Sequence, residues 1–250
     1  MDITQRREKL KELILQKQDV QVSELAAQVD VSNVTLRNDL IYLERQGVCK
    51  RLFGKVVACN GSADLNHNAI PRQAEKERIG KYAATLIQPG DSVLFYAGTT
   101  ARQVARFTNP DTEFIAVTNS LYTALELRQL PNAQVIVLGG SLNTKLSATF
   151  GLQTIQQIRE FNLDKLFLSV DGIDAKMGIT NAMPFESEIN QVIMDCARQT
   201  IVVADHTKVG AVSFVQMGSI DQVDILVTDS DADPEAVAQL REAGVKVQIV

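Results

Sequence analysis

Five short apolar runs in the later part of the chain each end on residues able to hold an anion or a hydroxyl group. Residues 93–96 lead into Gly98-Thr99-Thr100, and 114–117 into Thr118-Asn119-Ser120. Residues 135–138 are followed by Gly139-Gly140, 166–170 by Asp171-Gly172, and 201–204 by Asp205-His206-Thr207-Lys208. Small and hydroxyl residues ahead of a helix leave backbone N–H groups free at the positive end of the helix dipole, which makes a cradle for phosphate. Lys208 adds a compact positive charge. Asp171, Glu186 and Asp205 are carboxylates suited to sugar hydroxyls. The combined chemistry is that of a phosphorylated sugar. Taken singly, each signal has a plainer meaning: Gly-Thr-Thr serves as turn and N-cap, Gly-Gly as a tight bend, and Lys208 as a solvated surface lysine.

Residues 20–57 carry a second chemistry. Ser23 suits the N-cap of a helix starting at Glu24, whose apolar side is Leu25, Ala26 and Val29. Asp30-Val31-Ser32 breaks the pattern, and Ser32 caps the next helix. There Val34, Leu36, Leu40, Ile41 and Leu43 recur near helical spacing and are expected to face inward. The other side carries Asn33, Thr35, Arg37 and Asn38, polar groups that reach base edges when such a helix enters the major groove. Gly47 suits a left-handed helix end. Two short strands, 48–52 and 55–59, flank Phe53-Gly54 and form a wing, with Arg51 and Lys55 placed to touch phosphates. The pattern predicts a winged helix-turn-helix bound to duplex DNA. A small helical subdomain with a solvated polar face is the competing interpretation.

These groups need positioning. Ile3–Lys17 is expected to form a helix supporting the helix-turn-helix through Leu10, Leu13 and Ile14. The polar, turn-rich stretch 60–71 is expected to be a linker between a DNA-binding domain, 1–59, and a second domain, 72–250. Helical periodicity resumes at 72–87. From Gly90 onward apolar strands alternate with helices, the pattern of an α/β domain with a mostly parallel sheet covered on both faces. In such sheets ligands bind beyond the carboxyl ends of the strands, where all five clusters above fall.

Hydrophobic residues make up 45% of the 250-residue chain and charged residues 22%, a balance able to build a packed core. The net charge of −5 is unevenly spread. Residues 1–60 hold ten Lys and Arg against eight Asp and Glu, so the first part carries +2 and the remainder −7. A weakly basic module calls for multiplied contacts, hence a homodimer or homotetramer. Cys49, Cys59 and Cys196 lack metal-ligand spacing, and only His67 and His206 could join them. No metal, cofactor or catalytic residue is expected. The absence of a long apolar run and of a targeting signal points to a cytoplasmic protein away from membranes. Dinucleotide, triphosphate and serine-hydrolase motifs are missing from the sequence.

The ordered set V-S-E-L-A-A-Q-V-D-V-S-N-V-T-L-R-N-D-L-I-Y-L-E-R-Q-G, A-G-T-T, T-N-S, L-G-G, D-K-L-F-L-S-V-D-G-I-D, G-I-T and D-H-T-K-V-G resembles the DeoR family of bacterial sugar-metabolism repressors over nearly the whole chain. The resemblance implies a C-terminal domain similar to ribose-5-phosphate isomerase that binds a phosphorylated sugar as effector. It places phosphate at Gly98, Thr99 and Thr100, matches Asp205 and Lys208 to a D-x-x-K effector motif, and puts Asp171 and Glu186 near the pocket. Three positions depart from the family pattern: Asn38 where a second arginine is usual, Lys55-Val56 after the wing glycine, and Tyr96 where an aspartate usually precedes Ala97-Gly98. The expected function is a repressor of a carbohydrate operon, released from operator DNA by a phosphorylated sugar. The alternative is a sugar-phosphate isomerase with an accessory helical domain, in which Glu186 would take a proton beside a carbonyl.

Overall fold

The computed structural model describes residues 3–17, 19–29, 31–45, 48–52, 55–58, 71–182 and 187–250. The chain divides into two compact units, 1–69 and 70–250.

In the first unit, α1 (Ile3–Lys17), α2 (Val22–Val29) and α3 (Asn33–Arg45) pack with β1 (Asp19–Gln21), β2 (Cys49–Leu52) and β3 (Lys55–Ala58). The strands form an antiparallel sheet in the order β1-β3-β2. Leu10, Ile14, Val20, Leu25, Val29, Leu36, Leu40, Leu43, Cys49 and Val56 make one core. This is a winged helix-turn-helix. β2 and β3 pair as far as Leu52 opposite Lys55; the expected turn at Phe53-Gly54 and the helix end at Gly47 fall outside the described residues. Two expectations need correction. α2 begins at Val22, one residue before the expected cap Ser23, because β1 runs directly into the helix. Val34 does not face inward: it is 71% exposed. The buried stripe of α3 is Leu36, Asp39, Leu40 and Leu43, and Val34 lies on the opposite side.

The second unit is a three-layer α/β domain. Its sheet contains β4 (Ser92–Phe95), β5 (Phe114–Thr118), β6 (Ala133–Val137), β9 (Leu163–Leu168), β12 (Ala197–Val203), β14 (Ile225–Thr228) and β15 (Lys246–Ile249), in the order β15-β14-β12-β9-β4-β5-β6. Every pairing in it is parallel. The inner strands are apolar on both faces because helices cover both. Ile79, Val104 and Leu127, from α4 (Gln73–Ala84), α5 (Thr99–Phe107) and α6 (Leu121–Leu127), pack with Phe95, Phe167 and Val203 on one face. Ile155, Ile193 and Leu240, from α7 (Leu152–Arg159), α8 (Ser187–Asp195) and α9 (Pro234–Glu242), pack with Leu94, Leu168 and Leu226 on the other. Two small antiparallel additions went unpredicted: the hairpin β7 (Ser141–Asn143) with β8 (Ala148–Phe150), and the sheet of β10 (Gly172–Asp174), β11 (Gly178–Asn181) and β13 (Val215–Gly218).

The strand order fixes where a crevice opens at the sheet edge. From β4 the chain steps outward to β5 and β6; from β9 it steps the other way to β12, β14 and β15. The adjacent pair β4 and β9 is therefore the topological switch point, where connections diverge and leave a crevice at the carboxyl ends of the strands.

Candidate functional site: a reading helix and a charged strand-end cluster

In α3 the first turn is held by its own cap. The backbone N–H of Thr35 donates to Ser32 Oγ at 3.2 Å, and the two hydroxyls pair at 2.9 Å. Ser32 and Thr35, both expected at the DNA, thus spend their hydroxyls on the helix start. Arg37 and Asn38 are exposed and uncommitted to the core. Lys55 is half-buried on β3. The side chains of Asn33 and Arg51 lie outside what the structure describes.

Asp39 was not singled out from the sequence, yet it fixes this helix. It is 1% exposed and accepts from Arg6 Nε at 2.6 Å and Arg7 Nε at 2.8 Å, both on α1. Burial works against its charge, but the hydrogen bonds and positive charges of the two arginines prevail, and its pKa falls below the ordinary carboxylate value. Arg7 also stacks over the ring of Tyr42 on α3, at 3.8 Å from its centroid.

In the second unit the expected strand-end residues divide into struts and a charged cluster. Gly98 precedes α5, and a Cβ there would lie 2.3 Å from that of Ser169. Only glycine allows the ends of β4 and β9 to approach so closely. Ser169 Oγ in turn accepts from the N–H of Ala101 at 3.0 Å. Thr99 is exposed and Thr100 buried. Asn119 is fully buried and spent: its Oδ1 accepts from the N–H of Ala97 at 2.9 Å, and its Nδ2 donates to the carbonyl of Thr149 at 3.1 Å. Ser120 caps α6 through the N–H of Thr123 at 3.2 Å. Gly139 donates to Gln157 Oε1, and its carbonyl accepts from Thr154 Oγ1 at 2.7 Å. At Gly140, φ is 144° and a Cβ would meet Thr154 Oγ1 at 2.2 Å. A Cβ on Gly172 would lie 2.3 Å from the carbonyl oxygen of Ala211. Asn119, Ser120, Gly139, Gly140 and Gly172 therefore carry structural duties at these ends. Glu186 lies outside the described residues.

Asp171, Asp205 and Lys208 come together with two residues the sequence did not suggest. Asp205 ends β12, is 2% exposed, and accepts from the N–H and hydroxyl of Thr207 at 3.2 and 2.5 Å. Arg72 Nε stands 3.8 Å from its Oδ1 and Lys76 Nζ 3.8 Å from its Oδ2. Lys208 reaches Asp171 Oδ1 at 3.5 Å. Lys76 is 8% exposed yet makes no side-chain hydrogen bond among the described residues. Burial pushes its ammonium below the ordinary lysine pKa; Asp205 opposes that, while Lys208 and Arg72 add to it. A signal for these cations did exist. Arg72 and Lys76 stand one turn apart at the start of a helix, where the dipole disfavours positive charge. Arg72 also adopts a left-handed backbone, φ 58° and ψ 45°, uncommon for a residue with a Cβ.

His206, Asp229 and Asp231 bring three potential metal-ligand atoms within 4.8 Å of one another. Both oxygens of buried Asp229 already receive His206, one its N–H and the other facing Nδ1, each at 2.7 Å. Burial resists the charge on Asp229, but these bonds hold its pKa below the usual carboxylate value. That arrangement is a hydrogen-bonded strut between the ends of β12 and β14. Among the described residues no helix is long and apolar enough to cross a membrane.

Residues 6–61 match the model of the DeoR-like helix-turn-helix domain, and residues 72–230 that of the DeoR C-terminal sensor domain. The chain is 31% identical to a protein of Escherichia coli O157:H7 assigned as the aga operon transcriptional repressor, covering 99% of this chain and 94% of that protein. It is 30% identical to the regulator GolR of Listeria innocua, covering 98% of each. With the glycerol-3-phosphate regulon repressor of Escherichia coli K12 the identity is 29% over the full length of both. Among solved structures, the sorbitol operon regulator SorC of Klebsiella pneumoniae aligns over 96% of this chain and 99% of that one at 13% identity, with a TM-score of 0.46, too weak a likeness to bear on function. The two matched domains and the full-length relatives together make the chain a member of the DeoR family of transcriptional regulators.

Proposed function

We propose that the protein represses a carbohydrate-utilisation operon and leaves its operator when a phosphorylated sugar binds the second unit. The observation that supports this most is the charged cluster past the ends of β9 and β12. Three cations, Arg72, Lys76 and Lys208, face two carboxylates, Asp171 and Asp205. Among the described residues of the cluster the surplus is positive. Both contacts to Asp205 are 3.8 Å, beyond hydrogen-bond length, so Asp205 takes a hydrogen bond from neither Arg72 nor Lys76. A phosphate would take hydrogen bonds from both cations, and Asp171 would meet a sugar hydroxyl. Relatives named for the aga operon and the glycerol-3-phosphate regulon fit an effector of this class.

Arg72 gives the site a route to the rest of the chain. It is the last residue before α4 and follows the stretch expected to link the two domains. A left-handed conformation of this kind costs of the order of 1 kcal/mol or more and persists when its surroundings hold it. A phosphate that draws Arg72 from Asp205 frees that backbone. Effector and operator then bind antagonistically, and linkage makes the antagonism reciprocal. A cytoplasmic homodimer or homotetramer is the working form we infer, since one weakly basic reading module needs a second copy for firm DNA binding. No observation favours the isomerase alternative, and the relatives bear the names of regulators.

A thermal-shift panel of hexose, pentose, amino-sugar and glycerol phosphates tests this reading. A true effector at ~100 times its Kd adds about 2.7 kcal/mol of stability. The same compound releases the protein from operator DNA. If no phosphorylated compound does both, the effector assignment fails.

A further inference from the structure

The one residue of α3 found on the unexpected face is the starting point. Val34 is 71% exposed, in the first turn of the helix. An isolated exposed apolar residue is ordinary on a protein surface. This one is distinguished by its position. At about 100° per residue, the buried residues Leu36, Asp39, Leu40 and Leu43 lie on average roughly 190° around the helix from Val34. Val34 therefore points directly away from the core. Arg37 lies about 60° to one side of it and Asn38 about 40° to the other, both exposed. The polar reading face has a branched hydrocarbon at its centre.

Local structure does not require valine there. A β-branched residue slightly disfavours the helix, and the cap is supplied by Ser32 and Thr35. In a helix whose first turns enter the major groove, the side chain opposite the buried stripe reaches deepest. The groove floor offers one apolar group, the C5 methyl of thymine. We propose that Val34 is a specificity-determining residue that packs against a thymine methyl between the bases read by Arg37 and Asn38. Polar side chains at this position would tolerate cytosine; valine makes the operator require thymine there. The inference rests on α3 being the DNA-reading helix of this protein.

The test uses full-length protein and a duplex obtained by in vitro selection from randomised DNA. Each thymine of the selected duplex is replaced in turn by deoxyuridine, which removes only the methyl. Binding is measured for the native protein and for Val34→Ala, whose exposed site leaves folding intact. At one thymine per half-site, uracil is expected to weaken native binding roughly fourfold, the effect of one buried methyl. Val34→Ala is expected to bind both duplexes alike and, in its own selection, to lose the thymine preference at that position. If every uracil substitution affects the two proteins equally, Val34 does not read thymine. Arg37→Ala separates that failure from a deeper one: it still weakens binding if α3 is the reading helix, and leaves binding unchanged if α3 is not.

Discussion

The two units treat a buried carboxylate in opposite ways. Asp39 and Asp205 are almost equally hidden, and each faces two cations from a neighbouring helix start. Around Asp39 the guanidinium contacts are 2.6 and 2.8 Å, closed hydrogen bonds that tie α3 to α1. Around Asp205 the contacts of Arg72 and Lys76 are 3.8 Å, and among the described residues the buried ammonium makes no hydrogen bond. The first arrangement gains rigidity, because a short charge-assisted bond has strong directional preference. The second leaves desolvated charge incompletely matched, a state that an incoming anion can improve. One carboxylate holds α3 in place, and the other stands in the cluster proposed to take the effector.

The largest effect should come from breaking the closed arrangement. Asp39→Ala strands two arginines against each other and should cost about 3 kcal/mol in the first unit, the scale for removing one partner of a buried pair. Denaturation followed by a probe on α3 measures it, and operator binding should go with it. A loss of less than about 1 kcal/mol would make Asp39 no lock at all. The open arrangement predicts the reverse. Lys76→Met keeps the packed stem, so stability should change little, while affinity for the effector phosphate should fall at least tenfold. Lys208→Ala should likewise yield a repressor that sugar no longer releases. A large loss of stability with unchanged sugar affinity in either variant would turn the sensing cluster into ordinary scaffolding.

Between these lies Arg37→Ala, expected to weaken operator binding by about 1–3 kcal/mol through one lost base contact. Sugar binding should not move, since Arg37 belongs to the other unit. The smallest effects are in pH dependence. Asp39 has a lowered pKa in the fold, so its contribution is present above the unfolded value and fades as pH falls through the folded one. Lys76 also has a lowered folded pKa, but as a base. The folded state then releases its proton first, and the second unit should gain stability as pH rises from the folded pKa toward the ordinary lysine value. Acid should weaken the first unit, and alkali below the ordinary lysine pKa should favour the second while weakening anion binding. Hydrogen exchange resolved by unit distinguishes the two trends.

The winged helix-turn-helix and the parallel sheet were legible because their patterns are local. Leu36, Leu40 and Leu43 recur with the helical period, and runs such as 93–95 and 201–203 are apolar on both faces as buried parallel strands must be. Val34 misled because periodicity sorts residues by polarity, and an exposed apolar residue looks the same as a core residue. The strand-end motifs were found, but their division was not. Asn119 and Gly98 look like ligand contacts in sequence; packing makes the first a strut between Ala97 and Thr149 and the second a close approach to Ser169. β7–β8 and β10–β11–β13 are too short to carry a period of their own.

What the linear order of residues determined alone was the class of each of the two units and the run of apolar strands that builds the parallel sheet. Hydrophobic periodicity is set within a dozen residues, and connectivity limits how strands and helices can stack. The pairing of charges was decided only in three dimensions. Arg6 and Arg7 meet Asp39 across more than thirty residues, and Arg72 and Lys76 meet Asp205 across more than a hundred and twenty. Such meetings depend on which helix lies over which strand. Whether they close to hydrogen-bond length or stay apart depends on tenths of an ångström that packing alone sets.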